Sequence, residues 1–193
     1  MPYPATLEFD ASPEIANWRP LVHWLLAIPH LVIAEVLQNV GQVVAVISWF
    51  AIVFTGNLPA GLADFQCLVI RYSSRAYSYA AWMREPYPAF EFDMTATDPG
   101  TDPLRVDLAP ELTDRNRLTV GLRLIWVIPA AIFGAVLGVA VSFVLLVGFF
   151  AVLFTGRWPV GLRDFVIGCG RYFVRLTAYL NLLTDQYPPF ALE

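Results

Sequence analysis

The chain has 193 residues, of which 58% are hydrophobic and only 15% are charged, whereas a soluble domain carries about 25% charged residues. This balance argues against an ordinary soluble fold and indicates an integral membrane protein. The net charge of −4 argues against nucleic acid as a partner.

Short alternating stretches of apolar and polar residues flank each apolar part of the chain. Alternation of this kind predicts half-buried β-strands. We expect the strands to pair into a small sheet at a membrane surface. The stretches are residues 6–10, 89–93, 104–108 and 190–192.

Two long apolar blocks predict membrane hairpins. A single helix over residues 21–54 would be about 51 Å long, against a hydrocarbon core of about 30 Å. We therefore expect a hairpin of two short helices over about 21–54, either transmembrane or re-entrant. Glu35, Gln38, Asn39 and Gly41 mark its turn. The second block predicts the same hairpin over about 118–154, with Gly134 and Gly138 in the matching zone of the turn.

A glycine ends each apolar block and a proline follows it, which is typical of one helix ending and another beginning. After Gly56 and Pro59, apolar residues recur at helical spacing. This pattern predicts an interfacial amphipathic helix over about 59–83, and the second copy predicts another over about 159–183.

The chain is an internal duplication. A shift of 100 residues aligns 50–90 with 150–190, and 17 of these 41 positions are identical. Between the copies lies a segment rich in turn-forming residues. We therefore predict a first repeat over 1–93, a linker over 94–103 and a second repeat over 104–193. The fold class is a mainly α membrane protein of two tandem repeats.

The arginines predict the orientation in the membrane. All twelve basic residues are arginine, and neither predicted hairpin tip carries one. By the positive-inside tendency, both termini face the cytoplasm and the chain lies in the cytoplasmic (inner) membrane as a multi-pass protein. Two copies with an even number of spans are then related by an axis along the membrane normal.

A charged stripe recurs on both predicted interfacial helices. Two arginines four residues apart repel each other mildly and require an anionic partner. Three partners stay open: an aspartate of the other repeat, backbone carbonyls, or the phosphate of an anionic lipid. The candidate residues are Asp64, Arg71 and Arg75, with Asp164, Arg171 and Arg175 in the second copy.

Few residues of the sequence are candidates for a catalytic, metal-binding or ion-binding role. Glu35 is the only acidic residue inside an apolar block and is the intramembrane polar candidate, although its repeat partner is Ala135. His23 and His30 are seven residues apart, which is not the spacing of a metal pair. We expect no cofactor, no metal and no catalytic residues, and therefore no enzyme.

Specific motifs connect the chain to a known family. They are the segment 154–165, the pair Arg171-Tyr172, the segment 179–190 ending in Tyr-Pro-Pro-Phe, and Trp24-Leu-Leu-Ala-Ile-Pro-His30. These motifs resemble the prokaryotic membrane family catalogued as domain of unknown function 4389, and the resemblance covers both copies. It implies a membrane location and this repeated architecture, and it brings no established activity.

Two functions follow as hypotheses. The first is a non-enzymatic scaffold or accessory subunit of a membrane assembly, either as a homo-oligomer or in a larger complex. The alternative is a lipid- or small-solute-binding or transport protein that uses the interface between the repeats and the arginines of the cytoplasmic face. Membrane lipids, in particular anionic ones, are the expected partners.

Overall fold

The computed structural model describes residues 3–193, and the chain is mainly helical. Within these residues it forms a two-stranded sheet and six helices. They are β1 (Ala5–Phe9), α1 (Arg19–Thr55), α2 (Ala60–Ala80), β2 (Leu104–Leu108), α3 (Arg117–Gly121), α4 (Arg123–Trp126), α5 (Ile128–Thr155) and α6 (Val160–Leu180).

Helix α1 is one continuous helix of 37 residues, so the predicted hairpin over 21–54 is wrong. Two of the residues that predict its turn, Gln38 and Gly41, instead contact α2. Gln38 Nε2 donates to the Tyr77 hydroxyl at 2.6 Å. Gly41 is buried, and its carbonyl accepts a hydrogen bond from Gln66 Nε2 at 2.7 Å. Gln38 and Gly41 therefore serve packing between helices, whereas Asn39 is exposed and bonds to Glu35 of its own helix.

In the second copy the equivalent segment consists of α3, α4 and α5, with breaks at Leu122 and Val127. The predicted hairpin over 118–154 is wrong as well, because Gly134 and Gly138 lie within the continuous helix α5. Gly134 allows α6 to come close: an added Cβ would lie 3.1 Å from a leucine methyl group of α6.

Each long helix pairs with the shorter helix that follows it. Gly56 ends α1 with φ 77°, a left-handed conformation that glycine adopts without strain, and Pro59 precedes α2. Helix α2 then runs antiparallel to α1, and Nδ1 of His30 lies 2.8 Å from the Tyr72 hydroxyl. Helices α5 and α6 repeat this arrangement. The helical hairpin of each copy therefore consists of a long apolar helix and a shorter amphipathic one.

Strands β1 and β2 form the antiparallel sheet, in which Leu7 pairs with Val106. The two other predicted strands, 89–93 and 190–192, have no strand conformation. In the first of these segments Phe92 stacks on Tyr72 of α2, and the Asp93 carbonyl accepts a hydrogen bond from an arginine of α2. Contacts with α2 take the place of sheet pairing there.

The two copies are related by a pseudo-two-fold axis that passes near the Leu7–Val106 pair. The end of α1 lies beside the start of the second copy, where Trp49 Nε1 donates to the Val120 carbonyl at 3.0 Å. The end of α5 lies beside the start of the first copy, where Asn17 Nδ2 donates to the Leu153 carbonyl at 3.2 Å. The two long helices are therefore antiparallel, and the axis is perpendicular to them.

The molecule has three layers, with α2 and α6 in the middle. On one side of α2, Tyr72 contacts α1; on the other side, Arg71 donates to the Val106 carbonyl of β2. In the same way Tyr172 donates to the Ala130 carbonyl of α5. The order of the layers is therefore long helices, short helices, sheet. The middle helices are largely buried, which does not fit the interfacial position expected for them from the sequence.

The long helices carry the apolar surface of the molecule. Helices α1 and α5 contain 18-residue windows with mean hydropathies of 1.8 and 2.8, and only 17% of each window is buried. By length and composition both helices could cross a membrane. Exposed apolar side chains continue along the whole of α1, including Leu21, Trp24, Ile28, Val32, Val36, Val43, Ile47, Phe50 and Phe54.

Candidate functional site

The two arginines of the first copy, Arg71 and Arg75, both bind the linker. Arg71 is 3% exposed, and its Nε lies 3.2 Å from a carboxylate oxygen of Asp98. Its guanidinium also donates to the carbonyls of Thr95 at 2.9 Å and Val106 at 3.3 Å. Of the partners left open by the sequence, backbone carbonyls are thus the ones that Arg71 binds, together with an aspartate of the linker.

Arg75 forms ion pairs with the same region. Its guanidinium pairs with Glu91 at 2.7 Å and with Asp98 at 2.9 Å. Asp98 also accepts the backbone N–H of Val106 at 3.0 Å and that of Gly100 at 2.8 Å. The Asp98 side chain is 1% exposed, so both arginines share a fully buried carboxylate. The sequence offered one signal for Asp98: an aspartate before Pro-Gly in a segment without apolar periodicity.

The arginine pair of the second copy binds carbonyls. Arg171 Nε donates to the Leu7 carbonyl of β1 at 3.2 Å. Arg175 donates to the carbonyls of Ala191, at 3.3 Å, and of Glu193. Both residues are partly exposed, so binding of a lipid headgroup stays a prediction for this pair.

The expected ion pair between the repeats is not formed within residues 3–193. Asp64 and Asp164 lie just after the first turns of α2 and α6, and neither is within salt-bridge distance of a basic group there. Each aspartate is seven residues before the first arginine, about 10 Å along the helix. The sheet and the linker, rather than the aspartates, lie beside the arginines. They therefore provide the partners of the arginines.

Glu35 lies on the exposed side of α1 at mid-helix. Its carboxylate accepts a hydrogen bond from Asn39 Nδ2 at 3.2 Å. Within the described residues this carboxylate has no basic partner at salt-bridge distance. Glu35 also lies outside the cavity described below.

A buried arginine–aspartate cluster connects the two ends of the second copy, and the sequence does not predict it. Asp185 pairs with Arg115 at 2.7 Å and with Arg123 at 2.6 Å, and accepts the backbone N–H of Asn116 at 3.0 Å. Burial raises the pKa of Asp185, but the hydrogen bonds and charges outweigh that effect and hold the pKa below its ordinary value. The cluster joins the loop after α6 to the start of α3, so its role is structural.

A cavity of about 960 Å³ lies between the two repeats. It extends from the space between α1 and α5, past α2 and α6, to the inner face of the sheet. Its volume is at the upper end of the roughly 300–1,000 Å³ of small-molecule sites. The lining residues are mostly apolar and include Leu7, Phe9, Ala45, Val69, Leu104, Val141, Leu145, Ile167, Phe173 and Val174.

The polar groups of this cavity lie mainly on the first repeat. Gln38 Nε2 donates to Ser73 Oγ at 3.1 Å and to the Tyr77 hydroxyl at 2.6 Å. The same positions of the second repeat hold Gly138, Phe173 and Thr177. One wall therefore carries hydrogen-bonding groups, and the facing wall is mostly apolar. The sequence predicts an interface between the repeats but not this group of side chains, because their contacts depend on how α1 packs on α2.

No group of three or more metal-ligating side chains occurs within residues 3–193. His23 Nδ1 donates to the Tyr79 carbonyl at 3.1 Å, and its ring stacks on that tyrosine. His30 stacks on Phe90 and hydrogen-bonds with Tyr72. Both histidines are packing residues of the first hairpin.

Comparison with known proteins gives a family and no activity. The model of the family described as Domain of unknown function (DUF4389) matches residues 17–91 and again 117–191. The two matches confirm the tandem repeat. No curated protein and no solved structure matches the chain.

Proposed function

Since the chain belongs to the DUF4389 family, which has no described activity, we propose its function from its geometry. The chain is a membrane-embedded, non-enzymatic protein that binds a lipid between its two repeats. The observation that carries this proposal is the cavity of about 960 Å³, lined mostly by apolar side chains and reaching the space between the two long helices.

The exposed faces of α1 and α5 support insertion into a membrane. Apolar patches beyond a few hundred Å² are rare on soluble monomers and mark membrane or protein contacts. On α5 the exposed side chains include Phe143, which is 66% exposed, and Phe154, which is 75% exposed. Burying such a surface in lipid is favourable by roughly 25 cal/mol per Å².

The position of the sheet favours helices that lie in the plane of the membrane. Arg71 binds β2, while its neighbours Gln66 and Tyr72 contact Gly41 and His30 of α1. The sheet is therefore level with the middle of α1.

The outer face of the sheet carries exposed charges at that level. Glu8 and Arg105 form a salt bridge of 3.2 Å, and their side chains are 66% and 44% exposed. If α1 crossed the bilayer, this pair and the exposed linker backbone would lie at mid-membrane, where charged and unpaired polar groups cost several kcal/mol. With α1 and α5 in the plane of one leaflet, the sheet faces water and the pseudo-two-fold axis lies along the membrane normal. The arginines of the sheet side favour the cytoplasmic leaflet.

In this orientation the cavity takes its lipid from the leaflet that holds the helices. Gln38, Ala45, Val141 and Leu145 line the cavity between α1 and α5, in the layer that contacts lipid. An acyl chain enters there and ends against Leu104 and the rest of the inner sheet face. Burial of the chain among apolar side chains provides the affinity.

A substitution that fills the cavity tests lipid binding. We expect Val141→Trp to displace the lipid that co-purifies with the wild-type chain in mild detergent, as measured by mass spectrometry of the extracted lipids. Val139→Trp is the matched control, because Val139 lies on the same helix and is 60% exposed outside the cavity. Equal lipid retention by both variants and the wild type would refute the proposal.

The scaffold or accessory-subunit role stays a prediction, as does the homo-oligomer. The exposed apolar faces of α1 and α5 suit a partner helix as well as lipid. A defined protein recovered with the chain from native membranes, and lost when Phe143 is replaced by serine, would favour the scaffold. Persistence of the same partner in the Phe143→Ser variant would disfavour these faces as the docking surface.

A further inference from the structure

The two walls of the cavity differ in chemistry although they come from equivalent helices. The first repeat contributes Gln38, Ser73 and Tyr77, which meet in one hydrogen-bonded group. The facing wall has Phe173 and Val174 from α6. A ligand that fits both walls has a polar end and an apolar end, and its polar end lies toward α2.

The polar group has unused hydrogen-bonding capacity. Gln38 donates to both hydroxyl oxygens, so the hydroxyl hydrogens of Ser73 and Tyr77 are available to a ligand. Within residues 3–193 the Gln38 Oε1 accepts no hydrogen bond. By contrast, Ser74 and Ser78 donate to carbonyls of their own helix. Two donors and one acceptor therefore face the cavity at one place.

Charge is missing from this site. No acidic or basic side chain of the described residues lines the cavity. The nearest arginines on α2, Arg71 and Arg75, are bound to the linker on the opposite side of the helix. A phosphate in the cavity would be buried without a cation, which costs far more than burying a hydroxyl or an ester that is hydrogen-bonded.

We infer that the cavity selects an uncharged lipid whose head carries hydroxyl and ester groups, as in a diacylglycerol. This inference rests on the proposed lipid binding. Ser73 and Tyr77 donate to ester carbonyls of the head, and Gln38 Oε1 accepts the free hydroxyl. The acyl chains lie along the wall formed by Phe173 and Val174. The anionic lipid expected from the arginines is thus not the ligand of the cavity.

Competition between two lipids with the same acyl chains tests this inference. The full chain is placed in phosphatidylcholine nanodiscs that contain equal amounts of dioleoylglycerol and dioleoylphosphatidylglycerol, and retained lipid is measured by native mass spectrometry. We expect preferential retention of dioleoylglycerol. We expect Ser73→Ala/Tyr77→Phe to lower that retention by at least about tenfold, because both hydroxyl hydrogen bonds to the lipid are lost.

Ser142→Ala is the control, since the Ser142 hydroxyl bonds the carbonyl of Gly138 in its own helix and lies outside the cavity. Tyr77→Phe alone keeps the test decisive if the double variant does not fold. Preference for phosphatidylglycerol, or unchanged retention in the hydroxyl variants, overturns the inference on the headgroup and leaves lipid binding intact. Retention of neither lipid by the wild-type chain overturns the proposed function as well.

Discussion

Gly148 and Trp158 show how single residues adjust the packing of a repeat. Trp158 is fully buried, and its indole ring occupies the space that a Cβ at position 148 would require. The equivalent residues of the first copy are Ser48 and Leu58, both buried. Compared with the second copy, the first copy has a larger residue on its long helix and a smaller residue just before its short helix. The total volume of the two residues is therefore similar in both copies.

This pairing predicts the result of exchanging the residues. We expect Gly148→Ser to lower the free energy of unfolding by about 1–3 kcal/mol, because overpacking forces side chains to shift. Trp158→Leu alone leaves a void. The double variant reproduces the pair of the first copy and should recover part of the loss, although the hydrogen bond from Trp158 Nε1 to the Trp82 carbonyl is absent. Thermal unfolding in one detergent measures all three variants, and purely additive losses would contradict the idea.

At the scale of elements, the sequence predicts the duplication, the strand that opens each repeat and the helix ends at Gly56 and Gly156. It did not predict the continuity of α1. Gln38 and Gly41 have the composition of a turn, and only the close approach of α2 explains them. The arginine stripe was recognised, but its main partner, Asp98, is 23 residues from Arg75 in the linker. Such long-range pairing leaves no periodic signal in one sequence.

The ion pairs between α2 and the linker predict the effect of removing the carboxylate that they share, that of Asp98. We expect Asp98→Asn to destabilise the fold by about 3 kcal/mol, because two buried guanidinium groups lose their shared anion. Asp93→Asn is the control, since Asp93 is exposed and contributes its carbonyl rather than its carboxylate. Limited proteolysis of the linker and thermal unfolding measure both. Equal stability of the two variants would show that carbonyl capping alone holds the linker.

For the whole molecule, a single position distinguishes helices in the membrane plane from helices that cross it. We expect Arg105→Cys, at mid-length of the long helices, to react with a membrane-impermeant maleimide in inverted membrane vesicles. Val43→Cys, on the apolar face of α1, should be protected. The native thiols give little background, because both are buried and burial raises the pKa of Cys67 to about 12. Protection of Arg105→Cys would instead support membrane-crossing helices.

The exchange of strands across the pseudo-two-fold axis has a consequence for chains with a single copy. Arg71 of the first copy binds β2, and Arg171 of the second copy binds β1, so each short helix is completed by the strand that opens the other half. A chain with one repeat cannot satisfy this contact alone. Two such chains could do so for each other by an isologous association. A family member with one repeat is therefore expected to be an obligate homodimer, with the equivalent cavity at its subunit interface.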